Sequence, residues 1–388
     1  MKPAVVVNTF DRPAALVRLL ASLDNCVAGA GTELVISVDG GGRRRDDTLT
    51  LAREFRWTHG PSKVIERDDL GLVEHFRACG DLVDELGPLV LLEDDLVVGP
   101  HFLRFAGSAL EHTDSDERVA GISLSSPRFD GFRHTPFEPM IDGSDAVYAK
   151  VPWFHGMAWT PQQWQSHRGG ADAPSVELPS AFAALEDDEW FPDAVRSLVS
   201  EDRWYLLSRH AHAVNFGDAG VHFEASTATF QQPLAQRAPA DLQFHGLDHP
   251  QLIPYDEFME PDGRWLAPRV SALNGLDVTI DLRGTRGPED FSTGWAVTSR
   301  PGRHAVQEWG AMMHPLEQNL LFDVPGNDLR LCRADDIFDG SRADTAARRV
   351  VERHARHGRR VGLRESLSTR AREWRSHTAS RFAKRSRS

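Results

Sequence analysis

The 388-residue chain lacks several features that mark specialised classes of protein. No run approaches the ~20 consecutive apolar residues of a membrane-spanning helix. Its three cysteines, Cys26, Cys79 and Cys332, are widely spaced and form no CxxC pair, so neither a disulfide framework nor a zinc cluster is predicted. The N-terminus leads directly into a strand-like run instead of a signal peptide. We therefore expect a cytoplasmic globular protein.

Common motifs of nucleotide and hydrolase chemistry are also missing. The position after the first predicted strand reads Asn8-Thr9-Phe10-Asp11-Arg12-Pro13 instead of GxGxxG, which leaves hydride transfer unsupported. The Walker pattern GxxxxGK[ST] is absent, which argues against ATP hydrolysis. Neither HExxH nor GxSxG occurs, so the characteristic motifs of zinc proteases and α/β-hydrolases are absent.

The net charge of −13 is unevenly distributed. Residues 341–388 contain 15 Lys/Arg and 4 Asp/Glu, so the acidic residues are concentrated in the rest of the chain. An acidic body argues against nucleic acid as a partner. We expect the tail to be a solvated helical or disordered extension; the alternative is a peripheral contact with anionic lipid at the inner face of the membrane.

Apolar, β-branched runs alternate with helical patterns near the N-terminus. The strand candidates are residues 4–9, 33–39, 62–66 and 89–92, and the helical patterns follow each of the first three. This order predicts a doubly wound α/β domain with a mainly parallel sheet. The pattern loosens after about residue 125, where we expect a mixed, partly antiparallel half. We divide the chain into 1–125, 126–240, a small unit at 241–340, and the tail at 341–388.

Polar residues stand where the predicted strands end. Asn8 and Thr9, Asp39, and the triplet Glu93-Asp94-Asp95 all follow buried runs, and carboxyl ends of parallel strands share one edge of a sheet. Adjacent carboxylates repel unless a cation neutralises them, and Mg²⁺ or Mn²⁺ held by one or two carboxylates and a diphosphate suits such a cluster. The alternative is a surface turn with solvated acids.

The residues around the triplet resemble the GT-A glycosyltransferases. The nearest branch contains the eukaryotic α-1,3-mannosyl-glycoprotein β-1,2-N-acetylglucosaminyltransferase. The strongest match is the triplet and the following segment to Phe105; supporting matches are Asp11-Arg12, Val38-Asp39-Gly40 and His75-Phe76-Arg77-Ala78. The resemblance covers about half of the chain and is poor from 125 to 195 and after 240. It implies a GT-A, Rossmann-like fold whose first half, 1–125, binds a nucleotide sugar and whose second half, 126–240, binds the acceptor.

The resemblance also implies roles for individual residues. Asp95 would be the metal ligand, while Glu93 and Asp94 would orient hydroxyls of the donor. Asp39 would bind uracil, with Arg12 and His75 facing the nucleotide and with Thr9 and Arg77 at the same donor site. Arg12 as a helix-start charge and His75 as a helix-face histidine are the alternatives.

The catalytic base is implied by the order of residues between 200 and 222. An acid in Ser200-Glu201-Asp202 precedes a turn of the Asn-Phe-Gly type and then His222, as in the family. This order implies Asp202 as the base, with Glu201 as the second choice and His222 closing the metal or diphosphate site. The alternatives are a helix N-cap and a structural histidine. Trp159 and Trp204 are candidates for stacking on the acceptor, although aromatic residues are commonly core residues.

These inferences define an expected reaction. A hexose or N-acetylhexosamine would move from a nucleotide-diphosphate sugar, with UDP as the first choice, to a glycan, lipid-linked or small-molecule acceptor, and a single base favours inversion. One alternative is a non-catalytic carbohydrate- or nucleotide-binding protein of the same fold. Another is a nucleotidyltransferase, which shares the metal chemistry but usually needs a glycine-rich, basic loop directly after strand one, and that loop is missing here.

Overall fold

The computed structural model describes residues 1–130, 135–169, 176, 178–179, 190–218, 226–228, 230–237 and 241–355. Its N-terminal region alternates strands and helices as the apolar pattern predicts. The strands are β1 (Ala4–Thr9), β2 (Leu34–Val38), β3 (Ser62–Glu66) and β4 (Leu89–Glu93). The helices are α1 (Pro13–Asp24), α2 (Arg45–Glu54), α3 (Leu72–Gly80) and α4 (Val83–Leu86). The helical pattern that follows β3 thus forms two helices, which are separated by a turn at Asp81 and Leu82.

The next region completes a mixed sheet. Its strands are β5 (Leu96–Val98), β6 (Val119–Ser123), β7 (Ala146–Ala149), β8 (Met157–Trp159), β9 (Trp204–Ser208) and β10 (Ala213–Asn215). Its helices are α5 (Phe102–Thr113), α6 (Pro161–Gly169) and α7 (Trp190–Ser200). Eight strands form one sheet in the order β3-β2-β1-β4-β8-β6-β9-β7, and β5 pairs with β10 separately. The prediction of a partly antiparallel second half is confirmed.

Strand directions decide which residues share an edge. β1 is parallel to β2 and β4, while β8 is antiparallel to both β4 and β6. β3 is parallel to β2 and β6 is parallel to β9, so six strands point the same way: β1, β2, β3, β4, β6 and β9. We call the edge where these six strands end the carboxyl edge and the opposite one the amino edge.

Both faces of the sheet are buried, which explains why the strands read as continuous apolar runs. Val5 and Val7 of β1 pack in one core, whereas Ala4 and Val6 pack in the other. Helices α1 and α5 pack in the first core, where α1 contributes residues such as Leu16 and Leu19. Helices α3, α6 and α7 pack in the second core. This is the arrangement of a doubly wound α/β domain.

A smaller unit follows the sheet. Its strands β11 (Val278–Asp281), β12 (Trp295–Thr298), β13 (Gln307–Trp309) and β14 (Leu329–Arg333) form a sheet in the order β11-β12-β14-β13. Its helices are α8 (Gly263–Leu266), α9 (Gln318–Leu321) and α10 (Ser341–Ala355). It has its own hydrophobic core. The division at 125, 240 and 340 stays a prediction, although strands from both sides of residue 125 share the large sheet.

The basic tail begins as a helix. Ala343, Ala347 and Val351 are the buried residues of α10, and residues 356–388 lie outside the described part of the chain. Among the described helices, none is long and apolar enough to cross a membrane.

Candidate functional site at the carboxyl edge

The acidic triplet lies where the sequence predicts, at the carboxyl edge. Glu93 is the last residue of β4 and is in register with Asn8 of β1, while Asp94 and Asp95 form the turn into β5. Glu93 is partly exposed, and the two aspartates differ in their surroundings. The triplet therefore divides into groups with separate physical roles.

Asp94 fastens the loop that follows β1. Its carboxylate accepts a hydrogen bond of 2.8 Å from the hydroxyl of Thr9 and one of 3.1 Å from the amide of Phe10. Burial raises the pKa of Asp94 to about 7, with Asp95 adding to the rise, while Arg12 and the bond from Thr9 oppose it. Since Asp94 is only 4% exposed and is engaged by protein groups, it holds the loop instead of offering an open contact to donor hydroxyls as expected.

Asp95 is only partly satisfied. Its Oδ2 lies 3.1 Å from Nη1 of Arg12, whereas its Oδ1 is buried without a hydrogen-bond partner among the described residues. An unpartnered buried carboxylate oxygen is costly, and a cation would satisfy it. The described residues contain no group of three or more His, Cys, Asp or Glu side chains that could hold a metal. A single protein carboxylate is nevertheless sufficient for Mg²⁺ or Mn²⁺ when phosphate and water complete the coordination of the ion. The carboxylate of Asp95 fits that requirement.

Two arginines lie beside this carboxylate. Arg12 also approaches Oδ1 of Asp94, at 3.4 Å. Burial lowers the pKa of Arg12, but the neighbouring carboxylates raise it by more, so the pKa is raised overall. The guanidinium of Arg18 lies 3.9 Å from the ring centroid of Phe216 and pairs with Asp218. The carboxyl edge therefore combines acids with two fixed cations.

The turn after β10 completes the site. The amide of Phe216 donates a 2.8 Å hydrogen bond to the carbonyl of Asp95, which brings residues 215–218 next to the triplet. Gly217 has a φ of 78°, as this turn requires. Sequence reasoning assigned no role to Arg18, Phe216 or Asp218. The only signal was the Asn-Phe-Gly-Asp turn after a short apolar run, because nothing local shows that β10 pairs with β5.

Asp39 organises the neighbouring loop. It accepts hydrogen bonds from the amides of Gly40 at 3.0 Å, Leu70 at 3.0 Å and Gly71 at 3.1 Å. A Cβ at Gly40 would come within 2.6 Å of the backbone of Asp69, so the two loops require glycine here. Asp39 is thus a buried support of the loop, and its contact with uracil stays a prediction.

The side chains of His75 and Arg77 contact protein groups and do not face an open donor site. His75 is 2% exposed, and its Nε2 lies 2.9 Å from the hydroxyl of Ser37. Burial lowers the pKa of His75 to about 4, so the ring is neutral. Arg77 pairs with Glu74 at 2.6 Å and lines a cavity of about 20 Å³ between α3, α6 and α7. Because protein encloses the ring of His75, the structure does not support its contact with the nucleotide, and that role stays a prediction.

Asp202 and Glu201 lie at the other side of the sheet. They precede β9, whose first residues lie at the amino edge, so a five-residue strand of about 15 Å separates them from the carboxyl edge. Asp202 is held by Arg264 at 2.6 Å and Lys150 at 2.7 Å. The bond from Arg264 keeps the pKa of Asp202 well below its usual range. Strand direction carries both acids away from the triplet, so the structure does not support either of them as the base, and that role stays a prediction.

The two tryptophans are core residues. Trp159 is fully buried, and its indole N–H donates a 2.8 Å bond to the hydroxyl of Tyr205. Trp204 is 1% exposed and packs edge-on against Trp265 with ring centroids 5.6 Å apart. Neither ring is accessible, so the structure does not support stacking on an acceptor, and that role stays a prediction. His222 lies outside the described residues.

Comparisons with known proteins find only distant similarity. No protein-family model matches the sequence, and no curated protein matches it. A mannosyltransferase from Pyrobaculum calidifontis, in complex with GDP-Man and Mn²⁺, is similar at 13% identity over 41% of this chain and 44% of that one, with a TM-score of 0.31. A UTP-bound UGPase from Acinetobacter baumannii is similar at 9% identity over 55% of this chain and 88% of that one, with a TM-score of 0.33. At these values neither protein assigns a substrate to this chain, and the resemblance to the N-acetylglucosaminyltransferase branch stays a prediction.

Proposed function

We propose that the carboxyl edge binds a nucleotide-diphosphate sugar. The observation that carries the proposal is the unpartnered, buried Oδ1 of Asp95, which lies in a cluster with the guanidinium groups of Arg12 and Arg18. A site that binds only an anion would not need the carboxylate of Asp95, and a site that binds only a cation would not need the two arginines. A ligand that brings both a divalent cation and a diphosphate satisfies both sets of groups.

We further propose that the protein is a glycosyltransferase of the GT-A type. Arg12 and Arg18 would bind phosphate oxygens, and Asp95 would hold Mn²⁺ or Mg²⁺. The cation would offset the charge that develops on the departing diphosphate. Phe10 and Phe216 are 41% and 47% exposed and flank the triplet, so the exposed parts of their rings are available to an acceptor sugar in place of the buried tryptophans, with Arg18 lying over the ring of Phe216.

Asp218 replaces Asp202 as the candidate base. It lies in the turn beside Asp95 and is partly exposed, with Arg18 as its ion-pair partner. The acceptor oxygen would attack the anomeric carbon while the bond from that carbon to the diphosphate oxygen breaks, and Asp218 would take the acceptor proton. A single base with no covalent intermediate gives inversion.

Ligand binding tests the donor site. We expect UDP to raise the melting temperature in the presence of Mn²⁺, because a ligand that binds only the folded state stabilises it. Asp95→Asn should abolish the effect of Mn²⁺, whereas Asp277→Asn, at an exposed position in the smaller unit, should leave it intact. GDP is the second nucleotide to test. Failure of every nucleotide to shift the melting temperature would overturn the donor site.

Turnover separates a transferase from a binding protein. With Mn²⁺ and UDP-sugars, we expect release of UDP that Asp218→Asn reduces by about two orders of magnitude, as for loss of a general base, while nucleotide binding persists. Binding without release or transfer would favour the non-catalytic alternative. Unchanged release in Asp218→Asn would refute the assignment of the base.

One observation favours nucleotidyl transfer as a second candidate. The glycine-rich loop Gly40-Gly41-Gly42 is followed by three arginines and packs against the loop after β1, where the amide of Arg44 donates to Asp11. A glycine-rich, arginine-containing loop near strand one suits binding of a nucleoside triphosphate. Pyrophosphate release from UTP and a sugar 1-phosphate would establish this reaction, and its absence together with UDP release would exclude it.

A further inference from the structure

A second cleft lies in the smaller unit, away from the carboxyl-edge site. Its volume is about 440 Å³, within the range of small-ligand sites. One wall is the segment that joins β11 to β12, and the other is the segment after β14. Three arginines line it, which is notable in a chain with a net charge of −13. They are Arg286, Arg300 and Arg333.

Arg333 offers free donors to this cleft. It ends β14, and its guanidinium lies 4.6 Å from the ring centroid of Trp295, directly across the strand pair. Within the described residues its N–H groups make no hydrogen bond or ion pair. Stacking on an indole fixes the plane of the guanidinium and leaves its edge donors available. Such a group is prepared for bidentate binding of a carboxylate or phosphate.

Arg300 adds a second, buried cation. Its side chain is 7% exposed, with Nη2 2.8 Å from Asp344 and Nη1 3.7 Å from Asp339. Its Nε lies 4.0 Å from Oδ2 of the buried Asp281 and has no hydrogen-bond partner among the described residues. Arg286 is likewise buried and pairs with Asp256. The acids on the lining are Asp335 and Asp339, and the second of these already faces Arg300.

The walls are held in place before any ligand binds. The amide of Arg303 donates to the carbonyl of Asp336 at 2.8 Å, and that of Phe338 donates to the carbonyl of Pro301 at 2.9 Å. On the other wall the amide of Gly287 donates to Asp290 at 2.7 Å. Phe291 and Phe338 present apolar surface between the charges. A preformed cleft of this kind loses little free energy to ordering on binding.

We propose that this cleft binds a sugar ring that carries a carboxylate or a phosphate group. Arg333 holds the anionic group, and the phenyl rings of Phe291 and Phe338 contact the ring. The cleft is too large and too apolar on one side to be explained by a bare anion. This site is separate from the proposed donor site and does not depend on it.

Calorimetric titration of the full chain tests the proposal. The probes are glucuronate, glucose 6-phosphate, glucose and inorganic phosphate. We expect glucuronate or glucose 6-phosphate to bind at least tenfold more tightly than glucose and inorganic phosphate, and to weaken with added salt. The tighter of the first two identifies the anionic group. Equal affinity for glucose, equal affinity for inorganic phosphate, or no binding of either charged sugar would overturn the proposal.

Two variants confine the binding to this cleft. Arg333→Gln removes the free cation, and Gly294→Leu adds a side chain next to it, since a Cβ at Gly294 would lie 3.4 Å from Nη1 of Arg333. Both should weaken binding of the charged sugar at least tenfold, while the control Arg56→Gln, at an exposed arginine in the large domain, should not. Retained binding in both variants would refute the site. If UDP and Mn²⁺ still stabilise both variants, the loss of charged-sugar binding in these variants is independent of the donor site.

Discussion

Nη1 of Arg12 lies 3.1 Å from Oδ2 of Asp95 and 3.4 Å from Oδ1 of Asp94. One guanidinium therefore stands between two carboxylates at the end of a buried strand. It offsets their mutual repulsion. A divalent cation bound at the proposed donor site would compete with Arg12 for these carboxylates.

The first prediction follows from that competition. Arg12→Met should increase the affinity for Mn²⁺ alone by about three- to tenfold, because the carboxylates lose their competing cation, and should weaken binding of UDP. Calorimetric titration with Mn²⁺ measures the first effect. Arg18→Met is the comparison: Arg18 pairs with Asp218 and interacts with the triplet only at longer range, so this variant should weaken UDP binding with a smaller gain in Mn²⁺ affinity. A loss of Mn²⁺ affinity in Arg12→Met would contradict the competition.

The second prediction concerns Asp94. Asp94→Ala leaves the hydroxyl of Thr9 and the amide of Phe10 without their acceptor, which should lower the free energy of unfolding by about 1–3 kcal/mol. Asp94→Asn retains an acceptor oxygen and should lose less. Urea denaturation measures both. Equal losses in the two variants would mean that the carboxylate charge, and not the acceptor, supports the loop.

The third prediction concerns Asp202. Asp202→Asn should retain turnover and lower the free energy of unfolding by about 1–2 kcal/mol, since Asp202 and Arg264 are half exposed whereas the ammonium of Lys150 is buried and loses its ion-pair partner. Asparagine also tolerates the φ of 51° found here. The pKa of Asp202 is lowered in the folded state. The difference in free energy of unfolding between wild type and Asp202→Asn should therefore be largest near neutral pH and should decrease as pH falls below about 4. Loss of turnover with normal stability would restore Asp202 as the base.

The fourth prediction concerns the buried His155. Burial lowers its pKa to about 3, and its Nδ1 accepts a 3.1 Å bond from the indole of Trp153. The unfolded chain takes up a proton below about pH 6.5 whereas the folded chain does not, so this histidine makes wild type less stable as pH falls. Relative to His155→Leu, wild type should lose up to ~1.4 kcal/mol per pH unit below 6.5. A pH-independent difference between wild type and His155→Leu would contradict the neutral state of this histidine.

Part of the site was predictable because its signals are local. Glu93, Asp94 and Asp95 follow a run whose apolar residues predict a buried strand, and such a strand ends at an edge of the sheet. The division of labour between Asp94 and Asp95 was not predictable, because it depends on which side chain turns inward beneath Thr9 and Phe10. Likewise, His75 reads the same in sequence whether it faces solvent or Ser37.

The sequence alone determined the alternation of strands and helices up to β4, since hydrophobic periodicity reports how each segment is buried. It thereby determined that the acidic triplet lies at the carboxyl edge. Only the tertiary structure decided that Asp202 lies at the amino edge and that Phe216 and Asp218 lie beside Asp95. The reason is physical: the insertion of the antiparallel β8 between β4 and β6, and the pairing of β10 with β5, depend on contacts between segments distant in the chain, and no local pattern encodes them.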